Sequence, residues 1–221
     1  MLTTLEQVKT HLGIAADDTS LDARLAALIQ GVDAAIKSDL RRNIEQATYT
    51  EFYSGDGSRA LRLKQTPVQS ITTVYEDSSG LWGQGADAFA AATLLTAGAD
   101  YALDLDQPDG TSLSGLLYRV GGIWPGRVVR YGNRLTAGYE HGRGNLKITY
   151  VGGYATVPYD LALAANQLVG WAMARKDGQQ MKSERLDEYS YTMGDLKEAL
   201  TSVVGAASIL AKYRGRKWVV A

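Results

Sequence analysis

Few residues in this chain are spaced for chemistry. Asp104, Asp106 and Asp109, followed by Gly110, stand in the string DLDQPDG and at first sight offer a calcium loop. The spacing rejects it: the glycine comes one place late, and Gly115 occupies the position of the bidentate glutamate. Pro-Asp-Gly reads instead as a hairpin turn. GQG at 83–85 lacks the third glycine and the strand-to-helix setting of a dinucleotide fingerprint, and no glycine loop carries a Walker-type lysine. His141 has Glu140 and Arg143 beside it but no marked serine or carboxylate partner, so it reads as part of a hairpin loop. His11 falls near the end of a first helix, where an imidazole meets free carbonyls. No carboxylate pair is singled out for glycoside hydrolysis, although such partners can lie far apart in sequence. The absence of cysteine removes disulfides, thiolate nucleophiles and cysteine-based metal sites together. The expectation is a protein that is not an enzyme and holds no metal or cofactor.

The elements around these residues are clearer than any site. Thr3 with Glu6, or Thr4 with Gln7, forms a capping box for a short helix ending at Gly13. Ser20 is placed to cap a longer helix running to about Arg42, with Leu21, Leu25, Leu28, Val32, Ile36 and Leu40 on its apolar side. Short strands follow, clearest at 49–53, 61–63, 70–75 and 127–131, separated by glycine- and proline-bearing turns. The alanine-rich segment 86–97 fits either a short helix or an excursion. At 146–151 Leu146, Ile148 and Tyr150 alternate with Lys147, Thr149 and Val151, and Gly152-Gly153 ends that strand.

Pro158 and Asp160 then suit the first turn of the most apolar helix in the chain. Leu161, Ala165, Leu168 and Ala172 form one stripe, but Leu163, Val169, Trp171 and Met173 fall outside it. Such a helix must be covered on most sides, either as the centre of a core or at an assembly surface. Leu161, Leu168, Trp171 and Ala172 are the candidate subunit-interface residues. The polar passage 177–185 leads to 186–193, whose aromatics favour extended chain, and to a last helix over about 196–213 with Leu196, Leu200, Val203, Ala207 and Leu210 on its face.

Helices at both ends and strands between them predict an α+β fold. Residues 1–47 and 152–213 make a helical bundle, 48–151 a large β-rich insertion, and 214–221 a C-terminal tail. Arg214, Arg216, Lys217 and Trp218 in that tail are a weak signal for nucleic acid, and Trp218, Val219 and Val220 fit equally well into a partner's groove.

Charge is uneven along the chain despite a formal net charge of −1. From Glu76 to Asp109 every charged residue is acidic; from Arg119 to Lys147 all but Glu140 are basic. Neutralisation inside one β domain explains this, and complementarity between neighbouring copies explains it too. No run approaches the ~20 apolar residues of a membrane span, and the N-terminus lacks a signal-peptide pattern, so use or assembly inside a cell is expected.

In order along the chain, LTTLEQVK at 2–9, the long second helix, YSGDG at 53–57, PVQSITTV at 67–74, ITYVGGY at 148–154, VPYDL at 157–161 and the stretch 183–191 resemble the head-tail connector (adaptor) proteins of tailed bacteriophages. The departure is greatest over 75–134, where those proteins tolerate insertions. The resemblance implies a structural virion protein that forms a ring, commonly of twelve copies, beneath the portal vertex. That ring joins head to tail, extends the DNA channel and presents a platform for stopper or tail proteins. Implied partners are the portal protein, stopper or tail proteins, further copies in a dodecamer, and DNA touched non-specifically in the channel, with no membrane. The implied location is the virion head-tail junction, reached after assembly in the host cytoplasm. The family's C-terminal segment engages the portal, which would give Tyr213, Arg214, Arg216, Lys217, Trp218 and Val219 their partner. The alternatives are a head-completion stopper or tail-terminator ring protein, or, in another class, a β-rich glycan-binding module or glycosidase with the acidic run lining its site.

Overall fold

The computed structural model describes residues 1–77, 79–126, 144–179 and 193–214, side chains at 175–179 and 193–197 excepted. The chain divides into two compact units: Met1–Glu45 with Thr156–Ala221, and Gln46–Ala155. The fold is α+β, with helices toward both termini and antiparallel sheets in the middle.

In the first unit, α1 (Leu5–Leu12) opens on the Thr4–Gln7 capping box. The Gln7 amide donates to Thr4 Oγ1 at 3.2 Å and the Thr4 amide to Gln7 Oε1 at 3.1 Å. Thr3 is not the cap, because its hydroxyl turns to buried Asn166 Oδ1 at 2.6 Å. Gly13 closes α1 in the left-handed region (φ 70°), which costs glycine little. The expected Ser20 cap does not form: the Ser20 amide and hydroxyl both donate to Asp18 Oδ1, and α2 (Asp22–Leu40) begins after Leu21 without a side-chain cap. Lys9 replaces the cap as the fastening of this link, reaching the Ala16 carbonyl and pairing with Asp22. The helix ends at Leu40, earlier than expected, because Arg41 turns left-handed (φ 54°).

Three further helices complete this unit: α3 (Tyr159–Gln179), α4 (Met193–Ser202) and α5 (Val204–Tyr213). The last helix expected from the sequence is two helices. Val203 leaves helical geometry (ψ 94°) in the run Thr-Ser-Val-Val-Gly, where cap-forming, β-branched and glycine residues of low helix propensity follow one another. Met193 belongs to α4 rather than to an extended segment, and 186–192 lie outside the described residues. α3 packs against all four of the other helices.

The second unit holds two three-stranded antiparallel sheets. The first, in the order β1 (Ala47–Tyr53), β6 (Leu146–Gly152), β3 (Val68–Glu76), is built on β6, whose burial alternates as the sequence indicated. The second orders β2 (Ala60–Arg62), β5 (Leu116–Arg119) and β4 (Tyr101–Leu103). Their shared core contains Leu63, Val74, Leu117, Trp124, Leu146, Ile148 and Tyr150. Segment 86–97 is chiefly turn with a 3-10 helix at Ala91–Thr93, and the Leu95 amide donates to the Val74 carbonyl at 2.8 Å. The expected strand at 127–131 lies outside the described residues.

Candidate functional site

The expected assembly surface begins with α3. Leu161, Leu168 and Ala172 are 0, 1 and 0 % exposed, so the chain's own helices cover that stripe. Val169 is buried as well, and Asn166 is covered through its bond from Thr3. The helix is therefore apolar on most sides because it is the centre of its unit. Trp171 alone of the four expected interface residues keeps partial exposure. The sequence did not single out Tyr159, 85 % exposed, or Leu163, 41 % exposed, as the apolar residues that α3 turns outward. Leu163 lay outside the apolar stripe; that was the available signal.

The root of the C-terminal tail is held by its own unit. The Tyr213 hydroxyl donates to Asp160 Oδ1 at 2.6 Å, the Tyr213 carbonyl accepts from Arg42 Nη2 at 3.1 Å, and Arg214 Nε donates to Asp39 Oδ2 at 2.9 Å. α5 thus delivers the chain to one fixed point between α2 and α3. Arg216, Lys217, Trp218 and Val219 lie outside the described residues.

Part of the charge asymmetry is resolved within the β unit. Arg119 Nε pairs with Glu76 Oε2 at 3.2 Å, while its Nη1 meets the Asp100 carbonyl at 2.6 Å and carboxylate at 3.4 Å. Lys147 Nζ lies over the rings of Tyr75 and Phe89. Hydrogen bonding from the Phe89 amide, and then from Ser79, holds the Asp77 carboxyl below its usual range against the opposing effect of burial. His141 with Glu140 and Arg143, and the basic residues Arg127, Arg130 and Arg134, lie outside the described residues.

DLDQPDG is the hairpin loop between β4 and β5, as the turn chemistry indicated. Burial raises the Asp106 pKa, but the amides of Leu113 (2.7 Å) and Ser114 (2.9 Å) outweigh it and hold the group low. Asp109 accepts from the Thr111 amide and hydroxyl, and its pKa is low for that reason. These carboxylates are committed to backbone donors. Among the described residues no three His, Asp or Glu side chains gather as for a metal ion. His11 is exposed on the last turn of α1.

One polar cluster escaped the sequence reading. Tyr53 and Tyr150 both donate to Glu51 Oε2, Tyr150 at 2.7 Å, while the amides of Lys64 (3.1 Å) and Gln65 (3.0 Å) donate to the two phenol oxygens. Burial, and then the neighbouring carboxylate, pushes the Tyr53 phenol up; burial does the same to Tyr150. Neither phenol is available as a base near neutral pH, so the group ties the 64–65 turn to β1 and β6. The i, i+2 placement of Glu51 and Tyr53 on one face of a strand was the visible clue.

Residues 2–79, spanning α1 to β3, match the family model of the phage gp6-like head-tail connector protein. Among solved structures, a chain from "Virion of native gene transfer agent (GTA) particle" aligns over 98 % of this chain and 90 % of its own, at 15 % identity and TM-score 0.52. Chains from the "Neck of empty GTA particle computed with C6 symmetry" and the "Neck of native GTA particle computed with C12 symmetry" align at 14 and 15 % identity. They cover 90 and 91 % of this chain and 82 and 87 % of their own, with TM-scores of 0.49 and 0.48. No curated protein matches. The virion chain shares the fold, and the family match shows the chain's resemblance to the head-tail connector proteins of tailed bacteriophages over residues 2–79.

Proposed function

We propose that this chain is a structural protein of the phage neck, without catalytic activity, that assembles as a ring beneath the portal, joins head to tail and extends the DNA channel. The observation that carries the reading is the connector match across residues 2–79, which takes in the whole α1–α2 hairpin and three of the strands. Committed carboxylates in DLDQPDG and raised phenols at Tyr53 and Tyr150 are in keeping with a structural role.

In this reading the partners are the portal above, stopper or tail proteins below, neighbouring copies in a dodecamer, and DNA passing through the channel. Leu161, Leu168 and Ala172 shape the subunit from within, and partly exposed Trp171 is the one of the four left for a neighbour to touch. The Tyr213 and Arg214 contacts fix the residues from which the tail departs, with Arg216, Lys217, Trp218 and Val219 as its portal-binding part. Co-sedimentation with DNA-filled tailless capsids tests the proposal. Saturable binding to filled capsids, lost when the portal vertex is removed, is expected; equal recovery with portal-free shells would overturn it.

A further inference from the structure

We propose that Val203 is a hinge with one moving torsion: α4 and α5 are two halves of a single helix, and α4 is an arm that leaves its seat on α2 and α3 when the halves join. At the junction, Val203 has φ −76°, already a helical value, and only its ψ of 94° departs from helix geometry. Helical hydrogen bonding runs up to this residue and resumes from it. The Val203 amide donates to the Ala199 carbonyl at 3.0 Å, and the Ala207 amide donates to the Val203 carbonyl at 2.8 Å. The ladder lacks only the bonds from the amides of Val204, Gly205 and Ala206 to the carbonyls of Leu200, Thr201 and Ser202. Turning one ψ by about 135° closes them and gives a continuous helix from Met193 to Tyr213, ~31 Å long.

The side chains at the junction suit both forms imperfectly. Leu196, Leu200, Val203, Ala207 and Leu210 recur every four or three residues straight through the break, as one amphipathic helix would have them. The bent form leaves Val204 82 % exposed and buries Gln167 Oε1 against Gly205, with no hydrogen-bond donor for it among the described residues. Against joining stand the low helix propensity of Val-Val-Gly and the burial of Ala199 and Leu200 on α4.

The two halves are held unequally. α5 buries Ala206 and Leu210, and its end is pinned by the Tyr213 bond to Asp160, the Arg42 bond to the Tyr213 carbonyl and the Arg214 pair with Asp39. α5 is therefore the fixed half, and α4 is the half that moves.

Position 204 allows the hinge to be locked. Proline there suits the first turn of α5 and keeps Val203 extended, so Val204→Pro holds the chain bent. Combined Val203→Ala, Val204→Ala and Gly205→Ala changes raise helix propensity at three successive positions. The new methyl at 205 also stands 2.6 Å from Gln167 Oε1 in the bent form, which favours the joined helix further.

The cysteine-free full chain takes a pair of spin labels through Glu198→Cys and Lys212→Cys, both exposed positions. Their Cα atoms lie ~21 Å apart in the joined helix, and any bend brings them closer. The longer distance should be a minor population in the parent and absent from Val204→Pro. In the triple alanine variant its ratio to the shorter one should rise about tenfold. Val204→Ala alone, at so exposed a site, makes the same comparison should the triple variant not fold, with a rise of about twofold. A parent without the longer distance, or a ratio that the alanine changes leave unmoved, would overturn the hinge.

Discussion

Asn145 is the residue whose replacement most sharply tests the account of the β unit. It is fully buried, its Nδ2 donates to the Pro125 carbonyl at 3.0 Å, and its Oδ1 accepts the Gly55 amide at 3.0 Å. Its own carbonyl takes the Asp77 amide at 2.8 Å, so one side chain and one peptide hold three loops together. Gly55 must be glycine for this approach, because a Cβ there would stand 2.1 Å from the Pro125 carbonyl oxygen. Asn145→Ala strands a buried carbonyl and a half-buried amide. At about 1–3 kcal/mol for the first and about 1 kcal/mol for the second, the loss should be about 2–4 kcal/mol. That is a large part of the ~5–15 kcal/mol that holds a typical domain folded.

Asn145→Asp sharpens the test, since it preserves shape and the acceptor for Gly55 but sets an oxygen against the Pro125 carbonyl. Burial, with one oxygen left without a donor and opposed by the Pro125 carbonyl, raises that carboxyl's pKa in the folded state, so the variant should be least stable at neutral pH and recover as pH falls and the group is protonated. Urea unfolding, with hydrogen exchange of the β6 amides to read the β unit by itself, measures both effects. A loss below about 1 kcal/mol for Asn145→Ala, or an aspartate variant as stable as the parent at pH 7, would refute the reasoning.

Other expectations concern the helical unit. Burial raises the Glu45 carboxyl pKa, but hydrogen bonds from Lys37 and the Met1 amino group outweigh it and bring the group to about 2. Its contribution is present above the unfolded value near 4.5 and is lost as pH falls toward 2; for so accessible a cluster it should amount to ~1 kcal/mol. Glu45→Gln should abolish that acid-dependent loss in equilibrium unfolding, and an unaltered pH profile would contradict it. Leu168→Asp places an unpaired charge where the side chain is 1 % exposed, so folding or assembly should fail; a normal melt with normal assembly would refute the packing. Deleting residues 214–221 removes the Arg214–Asp39 pair but leaves α5 and its buried Ala206 and Leu210 in place, so the chain should stay folded while portal attachment weakens. Full attachment would rule out the tail as the anchor.

The sequence was readable where one local pattern had no competitor. The alternation in β6, the apolar stripe of α2 and the Pro-Asp-Gly turn appear as expected. It misled where two local solutions compete and distant contacts choose between them. Ser20 was a sound cap by type, yet Asp18 captures its hydroxyl two residues away. Thr3 and Thr4 were equivalent until Asn166, far along the chain, drew off Thr3. The last helix satisfied the 3.6-residue period throughout, but the period is blind to the weak propensity that breaks it at Val203. For the assembly site, the apolar excess of α3 was legible and its cause was not: only packing shows that Leu161, Leu168 and Ala172 face inward while Tyr159 and Leu163 face out. Asn145 and the Glu51, Tyr53 and Tyr150 cluster join segments ~90 residues or more apart, beyond any periodicity.

Electron microscopy of the purified chain mixed with portal rings of the same phage tests the central claim most directly. A second ring stacked coaxially beneath the portal, continuous with its channel, is the expected result. Portal rings that remain bare while this chain stays folded and unattached, under conditions where other connectors bind, would contradict it.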